Sequence, residues 1–378
     1  MAFLNKNTVL ALAALVACGG AAATEDYDLR YAPGYGAADM SAPFEGGWVF
    51  QAHAYAYSGN IRGTTAAPAI DLSGALGIPV PGAVTAQASV RTNTQINVYG
   101  LLSRLSYMSS TTFLGATVGG TALLPLVNKS SNISVTGVSA TLGGPFLGAV
   151  PAPTQAALVG LVKAGAQAQG QALATANSNK TFNFGDLEIS PILRWSTEAT
   201  QTLFVLTTVM PTGDYDPTRA ANPGAGNFWT FRPAVQFSYI GDGWDLGSRV
   251  AYSYNTINKT TKYKSGSYVN VDLAVMKSVS ESTRVGLSGY AVDQLNKDSS
   301  SLSSDECVAK FGAAECPVIE AREATTLGQK GRIFGVGPEV AYIHGAGDFL
   351  LEGRVMKEFG SQTRPKGFTA FVSLSKPF

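Results

Sequence analysis

Five arginines and six carboxylates stand out as side chains that could do chemistry: Arg194, Arg232, Arg249, Arg284 and Arg354, with Asp186, Glu188, Asp272, Glu339, Glu352 and Glu358. Each falls on the polar side of a stretch in which apolar and polar residues alternate, and Gln236 and His53 share that side. Charges strewn singly along the chain do not make a catalytic centre, which needs a nucleophile next to a base or a cluster of metal ligands. They suit the lining of a path, where opposed basic and acidic rows decide which solutes pass. They would equally suit a lumen filled by salt bridges that does structural work only.

Catalytic signatures are missing. The sequence has no G-x-S-x-G, H-E-x-x-H or P-loop pattern, and Gly335-Val336-Gly337 lacks the third glycine of a dinucleotide fingerprint. The two histidines are His53 and His344, one in the first stretch and one in the tenth. An enzyme acting on lipids with one of them as base is the catalytic alternative, although no serine stands out as its nucleophile. No metal and no cofactor is expected.

The elements that must hold these charges are strands. From Trp229 to Ile240, Trp229, Phe231, Pro233, Val235, Phe237 and Tyr239 fall on one side of an extended chain; Thr230, Arg232, Ala234, Gln236 and Ser238 fall on the other. Leu187, Ile189, Pro191, Leu193 and Trp195 repeat the pattern against Asp186, Glu188, Ser190 and Arg194, with Ile192 as the exception. One face wants hydrocarbon and the other wants water. A charge aimed at lipid at mid-bilayer costs roughly 2–4 kcal/mol, so the arginines and carboxylates must face inward. Strands of about ten residues with aromatics toward their ends are the signature of a transmembrane antiparallel β-barrel.

Composition agrees. With 14% charged residues, 42 glycines and a net charge of +1, the chain offers nothing to nucleic acid and nothing typical of a disordered acidic tail. No internal run of eighteen apolar residues suggests a membrane helix. Residues 1–23 read as an export signal: Lys6, the apolar run Thr8–Ala17 and the small residues Ala21-Ala22-Ala23. Leu15-Val16-Ala17-Cys18 also resembles a lipoprotein box, which would make Cys18 a lipidated terminus. Cys307 and Cys316 lie in one polar loop, where the default for an exported chain is a disulfide.

Residues 24–45 have no periodicity and read as a periplasmic lead-in, or one that folds back into the lumen. The barrel is expected over 46–378, in about twelve strands: 46–57, 95–107, 114–124, 182–195, 200–210, 229–240, 245–255, 268–279, 284–294, 332–344, 348–359 and from 368 to the end. Residues 125–180 form an extracellular insertion whose second half, rich in Ala, Gln and Leu, predicts a helix over Thr154–Asn177 with Thr154 as its cap. That helix would be a lid over the mouth or a plug in the lumen. Residues 295–330 form the cysteine-containing extracellular loop. Connections alternate between short and long, with Gly241-Asp242-Gly243 as a hairpin signal. This sorting is what bacterial barrels do with periplasmic turns and extracellular loops.

Several blocks carry a resemblance: Gly185-Asp186-Leu187 with Ser190-Pro191, Pro211-Thr212-Gly213-Asp214-Tyr215, Asn227 to Pro233, Asn255 to Gly266, Val285 to Tyr290, and Gly337-Pro338. In this order they resemble the outer-membrane channel family labelled "MetA-pathway of phenol degradation". The likeness covers about 186–378 well and the N-terminal part loosely. It implies a monomeric twelve-stranded barrel in the bacterial outer membrane, in contact with lipid and admitting small, often hydrophobic or aromatic, solutes. It carries over no established binding residues. A structural or adhesive barrel is the further alternative.

Overall fold

The computed structural model describes residues 29–36, 46–323, 326–345 and 347–378. The expected export signal, with Cys18, lies outside them. Twelve antiparallel strands close a single barrel: β1 (Gly47–Ala66), β3 (Thr85–Phe113), β4 (Ala116–Gly143), β6 (Glu188–Ser196), β7 (Thr200–Val209), β8 (Thr230–Gly241), β9 (Trp244–Asn255), β11 (Tyr268–Ser278), β12 (Thr283–Gln294), β14 (Arg332–His344), β15 (Phe349–Gln362) and β16 (Lys366–Pro377). Each pairs with the next in chain order, and β1 closes the ring on β16 from Val49 opposite Pro377 to Asn60 opposite Lys366. Closure satisfies every edge, which a sheet in lipid requires. Four short ladder strands lie outside the ring: β2 (Ile70–Asp71), β5 (Asn179–Phe184), β10 (Tyr263–Lys264) and β13 (Ser299–Ser300).

Alternation sorts the two faces. Phe204, Leu206, Val235, Phe237, Val250, Leu273, Val275, Leu287, Val340, Val355 and Val372 are exposed around the outside. Trp48, Tyr107, Trp195, Trp244 and Tyr342 stand at the short-turn end of their strands, and Trp229, Phe231, Tyr254, Phe359 and Phe368 at the other. These are the two aromatic girdles of a membrane barrel. The tight turn Asp242–Gly243 joins β8 to β9 with φ of 53° and 75°, and Leu114–Gly115 joins β3 to β4 with 51° and 74°. A two-residue turn of this hand matches the strand twist and asks for glycine at one position at least.

Three strands outgrow the barrel. β3 has 29 residues and β4 has 28, so at about 3.3 Å per residue each runs for about 95 Å, far beyond a membrane crossing. About half of the expected connection at 58–91 is therefore strand, because β1 continues to Ala66 and β3 begins at Thr85. The expected turn at 108–111 lies inside β3, at a register shift between Met108 and Thr112. The first part of the 125–180 insertion is the upper half of β4. Loop sorting also fails at one place: Thr363–Pro365, on the long-loop side, is as short as the turns opposite, because β15 and β16 reach further up.

The predicted helix is α1 (Ala152–Ala176). Its cap position is Pro151 without a side-chain bond, so Thr154 sits inside the first turn and caps nothing. Val162, Ala166, Gly170 and Ala174 form its buried stripe, four residues apart. Val162 and Ala166 pack with Leu72, Val84, Ala86, Ala88, Val90 and Val150 into a small core on the extended sheet, so the helix is held by the overhang of β3 and β4. A Cβ on Gly170 would come within 3.3 Å of Val90 and Val135, which sets how close the helix lies.

Candidate functional site: the barrel lumen

Residues 29–36 run inside the barrel. Arg30 is buried, bonds Asp186 at 2.9 Å, donates to the Gly226 carbonyl at 2.7 Å and to that of Phe228, and lies 3.9 Å over the Phe228 ring. Tyr268 and Arg232 donate to the carbonyls of Leu29 and Arg30. Further in, Tyr31 donates its hydroxyl to Asp272, whose other oxygen accepts from the Gly34 amide at 3.1 Å. Tyr35 meets His53 edge-on at 4.9 Å. Gly34, with φ of 84°, passes so close to Met356 that a Cβ would collide with its methyl and press on the Tyr290 ring at 3.1 Å. The sequence left two placements open for this segment, and its described part is in the lumen.

Asp186 fixes the mouth as well. It accepts from the Gly213 amide at 3.0 Å and the Ala225 amide at 2.9 Å besides its bond to Arg30. Gly213 and Gly224 lie back to back, each within 3 Å of where the other's Cβ would stand, so neither position has room for a side chain. Asp214 grips Arg219 through both oxygens at 2.9 and 3.0 Å, and Asn258 donates to Tyr215 at 3.1 Å. The blocks Gly185-Asp186, Pro211 to Tyr215 and Asn255 to Gly266 thus converge on one loop assembly over the lumen. The Arg219 guanidinium holds the Asp214 carboxyl below the usual carboxylate range.

All the residues singled out for the lining point into the barrel. Arg194, Arg232, Arg249, Arg354, Asp186, Asp272, Glu339, Glu352, Glu358, His53 and Gln236 are buried there, while Arg284 and Glu188 are largely covered. Opposite charges meet along the lining: Arg354 with Glu339 on the adjacent strand at 3.1 Å and, across one intervening strand, Arg232 with Glu188 at 3.4 Å and Arg284 with Asp245, a partner not picked from the sequence. Arg249 stands opposite Gln236 on one side and Asp272 on the other. Arg354 also covers the Phe371 ring at 4.7 Å. His53 contacts Ser373 at 2.8 Å, buried on the lumen side where no acyl chain of the bilayer reaches it. His344 is exposed at the short-turn end and stacks on Phe349. The two are not brought together.

Sequence reasoning missed the apolar part of the lining. Leu102, Leu123, Val292, Ile333, Met356 and Phe371 face inward and form one buried cluster with Leu29, Tyr35, Tyr268 and Tyr290. Between this cluster, the inserted segment and the mouth lies a cavity of 190 Å³. Its lining mixes Tyr31, Tyr35, Tyr55, Tyr57, Ile96, Val98, Leu123 and Ile333 with the charged Arg232, Arg249, Glu188 and Glu358. Tyr57 and Tyr290 both donate to Glu358, at 3.2 and 2.7 Å.

The cysteine loop caps this end. Cys307 and Cys316 are bonded, joining α2 (Ser304–Phe311) to α3 (Cys316–Glu323). Glu320 lies near both sulfurs, but the disulfide consumes the thiolates that a metal would need. Ser303 and Glu306 make a reciprocal capping box, and Lys262 bonds Glu306 at 2.7 Å, tying the loop to its neighbour.

Among solved structures, the chain is similar to the COG4313 outer membrane channel from Pseudomonas putida F1, with 13% identity, a TM-score of 0.55, and 90% of this chain and 98% of that one covered. It is more remotely similar to the CymD monoaromatic hydrocarbon channel, with 8% identity, a TM-score of 0.39 and 89% of each chain covered. No curated protein is similar in sequence. The sequence model of one family matches residues 80–374, most of the chain. This closed twelve-stranded barrel of the bacterial outer membrane belongs to the family described as "Putative MetA-pathway of phenol degradation".

Proposed function

We propose that the chain is a passive, monomeric outer-membrane channel for small hydrophobic or aromatic molecules, and not an enzyme. The observation that carries this is the 190 Å³ cavity inside the barrel, walled by tyrosines and aliphatic residues where it meets the inserted segment. An apolar cavity of about 150 Å³ takes up benzene, so the space suits a single ring. The same lining carries Arg232, Arg249, Glu188 and Glu358, which favour a solute with one polar end besides its apolar body. Membership of a family linked by its description to phenol degradation, and the fold shared with an outer membrane channel, support the same use.

Two measurements test it. Purified protein in planar bilayers should conduct, and proteoliposomes should admit small aromatic solutes faster than protein-free vesicles do. A silent bilayer together with vesicles impermeable to every small solute would refute the proposal. Growth of a deletion strain on aromatic against aliphatic carbon sources then narrows the solute class.

A further inference from the structure

We infer that the lumen contains a binding site specific for a phenolic hydroxyl and that the Tyr31 side chain, carried on the inserted segment, occupies it as an internal stand-in. The inference rests on the channel function proposed above and names its solute class. Tyr31 is held as a free phenol would be. Its hydroxyl donates to the Asp272 carboxylate and accepts from the Gly36 amide at 3.1 Å. The guanidinium of Arg232 lies 5.2 Å from its ring centroid, within the range of cation–π attraction.

The carboxylate is prepared for this role by the barrel, not by the segment alone. Asn270 donates to the same Asp272 oxygen at 3.1 Å, and Arg249 is the directly opposed residue on β9. Asp272 is fully buried, so when the Tyr31 hydroxyl leaves, the oxygen that it shared with Asn270 lacks one donor that water cannot readily replace, and a phenol can supply it. A neutral hydrocarbon of the same shape cannot supply that donor. Gly36 has no room for a Cβ, which would fall 2.7 Å from the Asp272 carboxylate and 3.0 Å from the Tyr31 hydroxyl, so the backbone wraps closely around the phenolic oxygen.

The site adjoins the cavity, because Tyr31, Arg232 and Arg249 line both. A phenol entering the cavity therefore meets the ring that it would replace. The same donor–acceptor pair recurs at Glu358, which receives the hydroxyls of Tyr57 and Tyr290, so the lumen presents carboxylate acceptors for phenols twice.

The test uses the full-length protein in bicelles, with binding of 4-fluorophenol, 4-fluoroanisole and 4-fluorotoluene followed by fluorine NMR. Tyr31→Ala vacates the site while Arg30 keeps the segment anchored, and should bind 4-fluorophenol at least tenfold tighter than wild type does. Neither 4-fluoroanisole nor 4-fluorotoluene should gain, since both lack the donor. Adding Asp272→Asn should cancel the gain. Equal gains for all three probes, or no gain for the phenol, would overturn the inference even if the Asp272 variant failed to fold. The wild-type protein's conductance in planar bilayers, with its 4-fluorotoluene influx measured above that of protein-free vesicles, separates the two proposals: conductance or added influx without phenol selectivity in Tyr31→Ala removes the site and leaves the channel, and failure of both channel measurements above removes the channel.

Discussion

Replacing Asp186 by asparagine should release the inserted segment. In the native barrel its carboxylate faces Arg30 at 2.9 Å, with 7% and 2% of the two side chains exposed, and also accepts two loop amides. Asparagine keeps one acceptor oxygen and removes the charge. Breaking a buried ion pair by removing one partner costs about 3–5 kcal/mol, and the retained acceptor places this change near the lower end. About 3 kcal/mol is a factor of roughly 150 in the population of the undocked segment. The readout is modification of an Ala32→Cys side chain by a bulky maleimide, since Ala32 borders the cavity and Cys307 and Cys316 are already bonded to each other. When closing is fast, the modification rate tracks the open population, so it should rise about a hundredfold. Conductance should rise with it. Arg30→Met added to Asp186→Asn should recover part of the docking, because it removes the buried charge that the asparagine leaves behind. A rate within threefold of the parent for Asp186→Asn would refute the reasoning and show that the segment is held by its tyrosines.

Leu273→Arg, on the lipid face of β11 with half of its surface exposed, should cost roughly 2–4 kcal/mol in urea unfolding from lipid vesicles; a neutral effect would place that face elsewhere than in the bilayer. Asp214 is held below its ordinary value of 3.8 by Arg219, so the stability it lends the mouth loop is present above that value and lost as pH falls through the lowered one. Proteolysis of 211–226 should therefore accelerate only in strong acid in the wild type, and Arg219→Gln should move the onset to higher pH. Replacing Cys307 and Cys316 by serine opens a cross-link of sequence separation 9, worth about 2–3 kcal/mol to the loop by chain entropy. Hydrogen exchange should speed up in α2 and α3 and stay unchanged in the barrel strands.

The charged lining was legible because the bilayer makes it so. A charge on the wrong face is costly, so every arginine and carboxylate on a strand declares which way that strand faces. The apolar lining makes no such declaration. Leu102, Leu123, Ile192 and Met356 each sit beside an outward apolar neighbour, in Leu101-Leu102, Leu123-Leu124, Ile192-Leu193 and Val355-Met356, and alternation read for its apolar side takes the neighbour and discards the inward residue. Such doubled apolar positions were the available signal for a greasy lumen. Leu102, Leu123 and Met356 cluster around the inserted segment, where water is displaced by Leu29 and Tyr35, while Ile192 packs in a separate group with Met108 and Val205.

The inserted segment itself had no signal of this kind. It is eight described residues with no period, and the bonds by which Leu29, Arg30 and Tyr31 hold to the barrel reach partners remote in sequence, Arg30 to Asp186 and Phe228, Tyr31 to Asp272, and Leu29 to Tyr268. The same distance explains the long strands. In the overhang of β3 the outward face turns polar, with Arg91 and Gln95 exposed beside buried Thr92 and Thr94, but what keeps this part ordered is its pairing with β1 and β4 and the helix packed on Val90. The inserted segment and its partners, to which the proposed solute choice is assigned, are therefore fixed by contacts between elements remote in sequence, while the parts that face the bilayer are fixed residue by residue. Changes in solute preference among barrels of this kind should accordingly fall in the segment at 29–36 and in the residues that touch it, and leave the outer face untouched.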